Sequence, residues 1–271
     1  VVHQSNKGAS GARNAGLDIA RGDFVTFCDP DDWTEPGLYS TLYSAIAQTG
    51  AEIAVCGHFM EWEDGEHQES RVIRGAGGEL TQEKALEYLV DFSEFEGYTW
   101  NKLISAALLN KIGETPLRFE TDIHICEDTL FFCSCFMNTD KIAYAARPLY
   151  HYLIRENSLL HSYNEKRKTE LLAWEKIIAL TASLNGKANM IARSRQADSA
   201  INLLWLAKIH GNTIEAGERR ELIKKRVGRY LLDPTLKIKQ KFRALMIVYF
   251  IDASDLIWGL LKTKLNMTWW K

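Results

Sequence analysis

The chain has 271 residues, of which 46% are hydrophobic and 11% aromatic, and its formal net charge is −2 at pH 7. This composition is sufficient for a packed core and excludes an intrinsically disordered chain. It offers no uninterrupted apolar run of the roughly 18 residues that a membrane-spanning helix needs, because Asp252 and Asp255 break the stretch 243–261. We therefore expect at most a peripheral association with a membrane.

Near the start of the chain, the glycine-rich stretch 5–11 leads into a predicted helix at 12–20, and together they contain the run Asn6–Gly16. The run supplies a cation and backbone N–H donors, which suit the neighbourhood of a phosphate group. It matches neither the P-loop pattern nor the dinucleotide-binding fingerprint. A flexible loop that caps a helix is the alternative interpretation.

An apolar run at 24–28 predicts a buried strand that ends in the acidic cluster Asp29-Pro30-Asp31-Asp32-Trp33. Ligands usually bind at this end of a strand in an open α/β sheet. Like-charged carboxylates about 4 Å apart repel by about 4 kcal/mol at an effective dielectric of about 20, and a divalent cation reverses that repulsion. Mg²⁺ and Mn²⁺ suit one or two carboxylates together with phosphate oxygens. A turn with aspartates at its corners is the alternative.

A helix is predicted next, with Thr34 as its N-cap and Pro36 in its first turn, before a second buried strand at 53–60. Asp64-Gly65 predicts a hairpin whose partner strand is 71–74. Further elements are predicted as helices at 81–92, 105–111 and 127–137 and as strands at 142–145 and 149–154. This alternation predicts an α/β domain with a largely parallel sheet.

Glu127 and Asp128 begin the helix predicted at 127–137. One acid can serve as the N-cap, and the other can lie in the first turn, where the helix dipole favours negative charge. A second interpretation is chemical, because a positioned carboxylate can take a proton from an attacking hydroxyl.

The chain is acidic in its first part and basic in its second. Residues 1–164 contain 12 lysines and arginines against 25 acidic residues, whereas residues 165–271 contain 21 against 10. Helical periodicity dominates the second part, with helices predicted at 171–184, 191–210, 216–231 and 236–264. The last of these, with Trp269-Trp270, combines basic residues with a broad apolar face, which is typical of a helix lying in a membrane interface. Packing of that face on the α/β domain is the alternative.

The five cysteines form no C-x-x-C pair, and we predict reduced, buried thiols in the cytoplasm. They are Cys28, Cys56, Cys126, Cys133 and Cys135. A zinc site from the last three with His124 would lack the closely spaced ligand pairs of structural zinc sites.

Four motifs, taken in their order and spacing, resemble the family 2 glycosyltransferases with the GT-A fold. They are N-x-G-x-S-x-A-R-N-x-G at 6–16, D-x-D-D-W at 29–33, E-D-T-x-F at 127–131 and the segment Tyr150–Ser158. The resemblance covers about residues 1–162 and is greatest to bacterial enzymes that build capsular, cell-wall or lipopolysaccharide glycans. It implies an inverting enzyme that moves a sugar from a nucleoside-diphosphate sugar to a hydroxyl of a glycan or lipid-linked acceptor.

On the donor side, the resemblance implies that Asp29 and Asp31 hold the ribose and a diphosphate bound to Mn²⁺ or Mg²⁺. Asp32 would be an auxiliary acid, and Arg13 would lie near the nucleotide.

On the acceptor side, the resemblance implies that Asp128 is the catalytic base and Glu127 its partner. It also assigns five residues to the neighbourhood of the acceptor, which are Trp100, Asn101, Lys102, Tyr152 and Arg155.

The resemblance further implies a GT-A, Rossmann-like nucleotide-sugar-binding domain at 1–162 and a helical C-terminal appendage at 163–271. Members of the family open with a strand, a helix and a second strand, so we expect this domain to be incomplete at its N-terminus by roughly 60 residues or more. We expect a cytoplasmic protein that can lie on the anionic inner face of the membrane, with no nucleic acid partner.

Two other functions are compatible with parts of the sequence. In a haloacid-dehalogenase-like phosphatase, Asp29 would be the nucleophile and Asp31 the acid, but Trp33 stands where that motif has Thr or Val. The third hypothesis is a truncated, inactive relic whose basic helices dock on a partner.

Overall fold

The computed structural model describes residues 1–63, 68–72, 77–92, 96–154, 165–184 and 186–232, with isolated positions 238, 241, 242, 245 and 249. Contacts divide the chain into two compact units, Val1–Arg193 and Ser194–Lys271. Arg155, and nearly all of the helix predicted at 236–264, lie outside the described residues.

The first unit contains one mixed sheet. Its strands are β1 (Phe24–Val25), β2 (Trp33–Thr34), β3 (Ile53–Trp62), β4 (Gln68–Arg71), β5 (Gly78–Thr81), β6 (Lys102–Ser105) and β7 (Lys141–Ile154). Their order is β1-β6-β3-β7-β2, with β4 beside β3 and β5 beside β7. A hairpin partner of β3 is present as β4, but it overlaps the strand predicted at 71–74 only at Arg71, and 73–76 lie outside the described residues. Strands β2, β5 and β6 were not predicted.

The prediction of a largely parallel sheet is wrong for the described strands. The long central strands β3 and β7 run parallel, whereas β6 runs antiparallel to both of its neighbours, and β2, β4 and β5 also pair antiparallel. Periodicity along the chain identifies strands, but their direction depends on which distant strand each one pairs with.

The described α-helices are α1 (Gly8–Ile19), α2 (Leu38–Thr49), α3 (Gln82–Asp91), α4 (Ala106–Lys111), α5 (Glu127–Phe136), α6 (Thr169–Leu180), α7 (Lys187–Ile209) and α8 (Thr213–Leu232). Thr81 caps α3 by accepting from the backbone N–H of Lys84. The predicted cap of α2 is wrong, because Thr34 pairs with Tyr150 in the sheet and α2 follows Gly37, whose φ is 91°.

Alternate residues of β3 contribute to two cores, one on each face of the sheet. Ile53 and Val55 belong to the core that contains α3, α5, α6 and the start of α7, and Ala54 and Cys56 to the core that contains α2. Helical residues as far as Ala192 pack in the first core, so this unit continues beyond residue 162. The predicted domain boundary falls among 155–164, which the structure does not describe, and stays a prediction.

The cysteines are free thiols, and the prediction that all are buried is wrong for Cys28, which is exposed, and for Cys126, which is partly buried. Cys28 follows the short strand β1 and is exposed, whereas Cys56, Cys133 and Cys135 are buried. Burial raises the pKa of Cys133 to about 12, so that thiol stays protonated at neutral pH.

The second unit contains most of α7 and all of α8, which confirms the helices predicted at 191–210 and 216–231. Leu203, Leu204 and Ala207 of α7 are buried, as are Ile223 and Val227 of α8. Within the part of the chain that the structure describes, every helix is too short or too polar to span a membrane.

Candidate active site

The acidic cluster predicted at 29–32 follows β1 and leads into β2. A backbone hydrogen bond from the N–H of Asp32 to the carbonyl of Asp29 turns the segment. Asp31 is exposed and Asp29 is half-exposed, whereas Asp32 turns inward. The three carboxylates therefore have different surroundings and can have different roles.

Asp32 anchors the cluster to β7. Its Oδ2 accepts a hydrogen bond from the Tyr150 hydroxyl at 2.8 Å, and its Oδ1 accepts from the backbone N–H of Leu153 at 3.0 Å. The Tyr150 oxygen in turn accepts from the backbone N–H of Asp29 at 3.1 Å. Burial raises the pKa of Asp32, and these hydrogen bonds oppose the rise. This geometry favours a structural role for Asp32, and its predicted place at the nucleotide stays a prediction.

Arg13 joins the two acidic motifs. Its Nη1 donates to Glu127 Oε1 at 3.0 Å, and its Nη2 lies 3.6 Å from Asp29 Oδ1. The guanidinium lies over the ring of Phe119, 5.4 Å from the ring centroid. Asn14 holds the same helix in place by a pair of hydrogen bonds with the backbone of Phe119, both 2.8 Å. The structure therefore brings residues 13, 29 and 127 together.

Glu127 and Asp128 lie in the first turn of α5. The prediction that one of them caps the helix is wrong, because the cap position is Cys126, whose φ is 63°. Asp128 Oδ1 accepts from the backbone N–H of Thr129 at 2.7 Å. Burial raises the pKa of both carboxyl groups, and Arg13 opposes the rise. A carboxyl group with a raised pKa is suited to general base catalysis near neutral pH.

Trp100, Asn101 and Lys102 are buried, with exposures of 2%, 0% and 0%. Trp100 stacks on Tyr98 and Tyr150, with ring centroids 4.5 and 4.2 Å away. The burial of these three residues leaves no surface for direct contact with an acceptor. If these residues contribute to acceptor binding, they would do so indirectly, by positioning neighbouring groups.

Tyr152 is half-buried and also belongs to this aromatic cluster, since its ring centroid lies 5.6 Å from those of Tyr98 and Trp100. Burial raises the pKa of its hydroxyl, and the charges of Asp32, Asp29 and Asp31 raise it further. Tyr152 therefore lies close enough to the acidic cluster to feel its charge, which is compatible with its predicted place at the site.

The sequence analysis missed two residues of β7 that hold the acidic cluster. Tyr150 is one, and the other is His151, whose Nδ1 lies 2.6 Å from Glu61 Oε1 and whose Nε2 lies 3.0 Å from Glu35 Oε1. The imidazole stacks with Trp33, with ring centroids 5.1 Å apart. The Tyr-His-Tyr run at 150–152 was the sequence signal for these two residues. It could not identify their side-chain partners, because those partners are distant in sequence.

Among the described residues, no three His, Cys, Asp or Glu side chains are arranged as a metal site. Asp29 and Asp31 offer hard carboxylate oxygens on the accessible side of the cluster, whereas both oxygens of Asp32 are engaged. This donor set fits a Mg²⁺ or Mn²⁺ ion that takes its other ligands from phosphate and water.

A cavity of about 640 Å³ lies between α1 and the segment 24–30. Arg13, Cys28 and Asp29 contribute to its wall. Its volume is in the range of small-molecule sites. The accessible side of the cluster therefore adjoins a space in which a ligand of nucleotide size could lie.

Residues 1–113 match the sequence model of a family described as Glycosyl transferase family 2. EpsH of Bacillus subtilis (strain 168), whose name assigns it provisionally to the glycosyltransferases, is 30% identical over 167 residues, which are 61% of this chain and 47% of EpsH. Glycosyltransferase GlyA of Streptococcus pneumoniae serotype 4 (strain ATCC BAA-334 / TIGR4) is 32% identical over an alignment of 175 residues, which covers 61% of this chain and 24% of GlyA. The aligned region thus spans about half of EpsH and a quarter of GlyA.

The fold also resembles a solved structure. S. aureus TarS 1–349, crystallised in complex with UDP-GlcNAc, superposes with a TM-score of 0.52 at 15% sequence identity, covering 84% of this chain and 74% of that one. At this identity the likeness concerns the fold alone, and it confirms the predicted α/β fold class.

Proposed function

We propose that the protein is an inverting glycosyltransferase of cell-surface polysaccharide synthesis, because residues 1–113 match the sequence model of glycosyl transferase family 2. It would move a sugar from a nucleoside-diphosphate sugar to a hydroxyl of a glycan or lipid-linked acceptor. The observation that carries the proposal is the position of Arg13, which contacts Asp29 of the D-x-D motif and Glu127 of the E-D motif at 3.6 and 3.0 Å. The proposed donor site at the D-x-D motif and the proposed base at the E-D motif can act on the same reaction only if the two motifs are neighbours in the fold.

On the donor side, Asp29 and Asp31 would hold the diphosphate through Mn²⁺ or Mg²⁺. The ion, when bound, would neutralise charge on the departing nucleoside diphosphate. Arg13 would keep Asp29 oriented and would add positive charge beside the cavity. The UDP-GlcNAc bound in the TarS structure supports a nucleotide-sugar donor here.

On the acceptor side, Asp128 would be the base. The acceptor oxygen attacks the anomeric carbon on the face opposite the diphosphate and forms the new C–O bond, while the bond to the phosphate oxygen breaks. The hydroxyl proton passes to Asp128, and the single displacement inverts the anomeric configuration. Glu127, ion-paired with Arg13 at 3.0 Å, would orient the first turn of α5 rather than take this proton.

We further propose that the protein works in the cytoplasm at the inner face of the membrane. The excess of basic residues after residue 164 supports this location, since an anionic leaflet attracts lysine and arginine at about 1 kcal/mol for each residue near its surface. A lipid-linked acceptor would be reached from that surface. Nothing in the acidic first part favours nucleic acid as a partner.

The proposal is tested by calorimetry of the full protein with Mn²⁺ and with uridine or guanosine diphosphate, each alone and both together. A glycosyltransferase of this kind should bind the nucleotide tightly only when Mn²⁺ is present. Binding of the metal alone, with release of phosphate from a phosphomonoester, would indicate the phosphatase. No binding under any condition would indicate an inactive relic and would overturn the proposal.

A further inference from the structure

Lys102 is fully buried, and its ammonium group is saturated with acceptors. Its Nζ donates to the carbonyl of Glu96 at 3.0 Å, to the carbonyl of Tyr98 at 2.6 Å and to Asn101 Oδ1 at 2.7 Å. A neutral amine has only two N–H groups and would turn a lone pair towards one of these oxygens. Three acceptors around Nζ therefore favour the charged form of Lys102.

The segment that Lys102 holds lies directly against the start of α5. A Cβ atom added to Gly97 would lie 2.1 Å from Thr129 Oγ1 and 2.7 Å from Thr129 Cα, so the two backbones are in close contact. Lys102 Nζ also lies 4.8 Å from the ring centroid of Phe132, which is one helical turn beyond Asp128. Lys102 is thus packed under the turn that carries the proposed base.

The charges around Asp128 come from four directions. Glu127 adjoins it on α5, and the groups that interact with it electrostatically are Arg13 on α1, Glu96 and Tyr98 in the loop, and Lys102 on β6. The Cys126 thiol precedes it on the chain. Burial raises the pKa of Asp128, while the Thr129 N–H, Arg13 and Lys102 lower it. Burial lowers the pKa of Lys102 to about 7, and the charge of Asp128 opposes that change.

We propose that Lys102 is a positioning residue for the transfer reaction, which holds residues 96–101 against the first turn of α5, where Asp128 lies. This role rests on the proposed function of Asp128 as the base. It differs from contact with the acceptor, because Lys102 has no exposed surface. A cation beside a buried carboxylate favours its charged form, which is the form that can accept a proton.

The test compares the pH dependence of kcat in the wild type and in Lys102→Met. Loss of the cation should raise the pKa of Asp128, so the acid limb of the profile should move to higher pH by about one unit or more. At pH 6, kcat should then fall about tenfold or more, while the dissociation constant of the donor stays within about twofold. Lys111→Met is the matched control, because Lys111 is a surface lysine paired with Glu52 at 2.9 Å, and its profile should equal that of the wild type.

An acid limb at the wild-type position in a folded Lys102→Met protein would overturn the inference. If wild-type protein shows no transfer, or if Asp128→Asn is fully active, the proposed function fails instead. A second measurement needs no variant to fold, namely NMR titration of the lysine side chains and carboxyl groups in the wild type. Lys102 should still carry its third proton when Asp128 is ionised, and a neutral Lys102 at that pH would also overturn the inference.

Discussion

Arg13 and Glu127 form an ion pair at 3.0 Å across a sequence separation of 114 residues, and both side chains are about 15% exposed. The pair connects a helix near the start of the chain with the first turn of α5. Because Arg13 also lies 3.6 Å from Asp29, one cation contributes to both proposed halves of the reaction.

Arg13→Gln should lower the free energy of unfolding by about 1–3 kcal/mol, because Glu127 and Asp29 would lose their common counterion in a partly buried place. A double-mutant cycle with Glu127→Gln in urea unfolding should give a coupling energy of about 1 kcal/mol. Arg118→Gln is the control, since its partner Asp18 is 63% exposed and such pairs contribute little. Equal losses for Arg13→Gln and Arg118→Gln would contradict the assignment.

Asp31→Ala should abolish transfer while leaving the fold intact, because Asp31 is exposed and is proposed to act through the metal-bound diphosphate. The loss of such an interaction should amount to several kcal/mol in transition-state stabilisation. Asp32→Ala should instead lower stability by about 1–3 kcal/mol, because the Tyr150 hydroxyl and the Leu153 N–H lose their acceptor. Turnover of Asp31→Ala within about tenfold of the wild type, at matched Mn²⁺, would show that the prediction is wrong.

Asp128→Asn should retain donor affinity and lose about a hundredfold or more in kcat. Asparagine keeps the size of the side chain and an oxygen that can accept from the Thr129 N–H, which Asp128 holds at 2.7 Å, but it cannot take the acceptor proton. Calorimetry with the donor analogue and a steady-state transfer assay separate the two effects. Parallel losses of donor binding and turnover would indicate a structural role for the start of α5.

His58→Phe should reduce the loss of stability in acid. His58 is 1% exposed, and neither ring nitrogen has a hydrogen-bond partner among the described residues. Burial lowers its pKa to about 3, aided by the charges of Lys102 and Arg71. Above the unfolded pKa near 6.5, His58 is neutral in both the folded and the unfolded state. As the pH falls from 6.5 towards 3, the unfolded state binds a proton that the folded state does not, so the free energy of unfolding decreases by up to about 1.4 kcal/mol per pH unit.

Urea unfolding between pH 7 and 4 measures that slope. The wild type should lose stability more steeply than His58→Phe, and His124→Phe, at an exposed position, should follow the wild type. Identical slopes for His58→Phe and the wild type would mean that the imidazole titrates normally in the folded protein.

Deletion of residues 236–271 should weaken binding to anionic liposomes. Basic residues and the pair Trp269-Trp270 give this segment the composition of an interfacial helix. Sedimentation with anionic and with neutral liposomes compares the full chain with the shortened one. Equal recovery of both chains in the supernatant on anionic lipid would show that the segment packs as core.

Local sequence patterns were sufficient to predict those features of the protein that depend on residues close together in the chain. The helix at 82–91, the buried run of β3 and the helix that begins with the acids 127 and 128 could be predicted from the sequence, because periodicity acts over a few residues. The family resemblance likewise rested on short motifs.

The tertiary structure decided what those motifs contact. The direction of β6, the burial of Lys102 and the engagement of both Asp32 oxygens all depend on partners elsewhere in the chain. Asp31 and Asp32 are adjacent and identical in type, yet only Asp32 meets Tyr150, 118 residues away. A sequence pattern identifies which residues can carry a charge, and only packing determines which of those charges stays in contact with solvent.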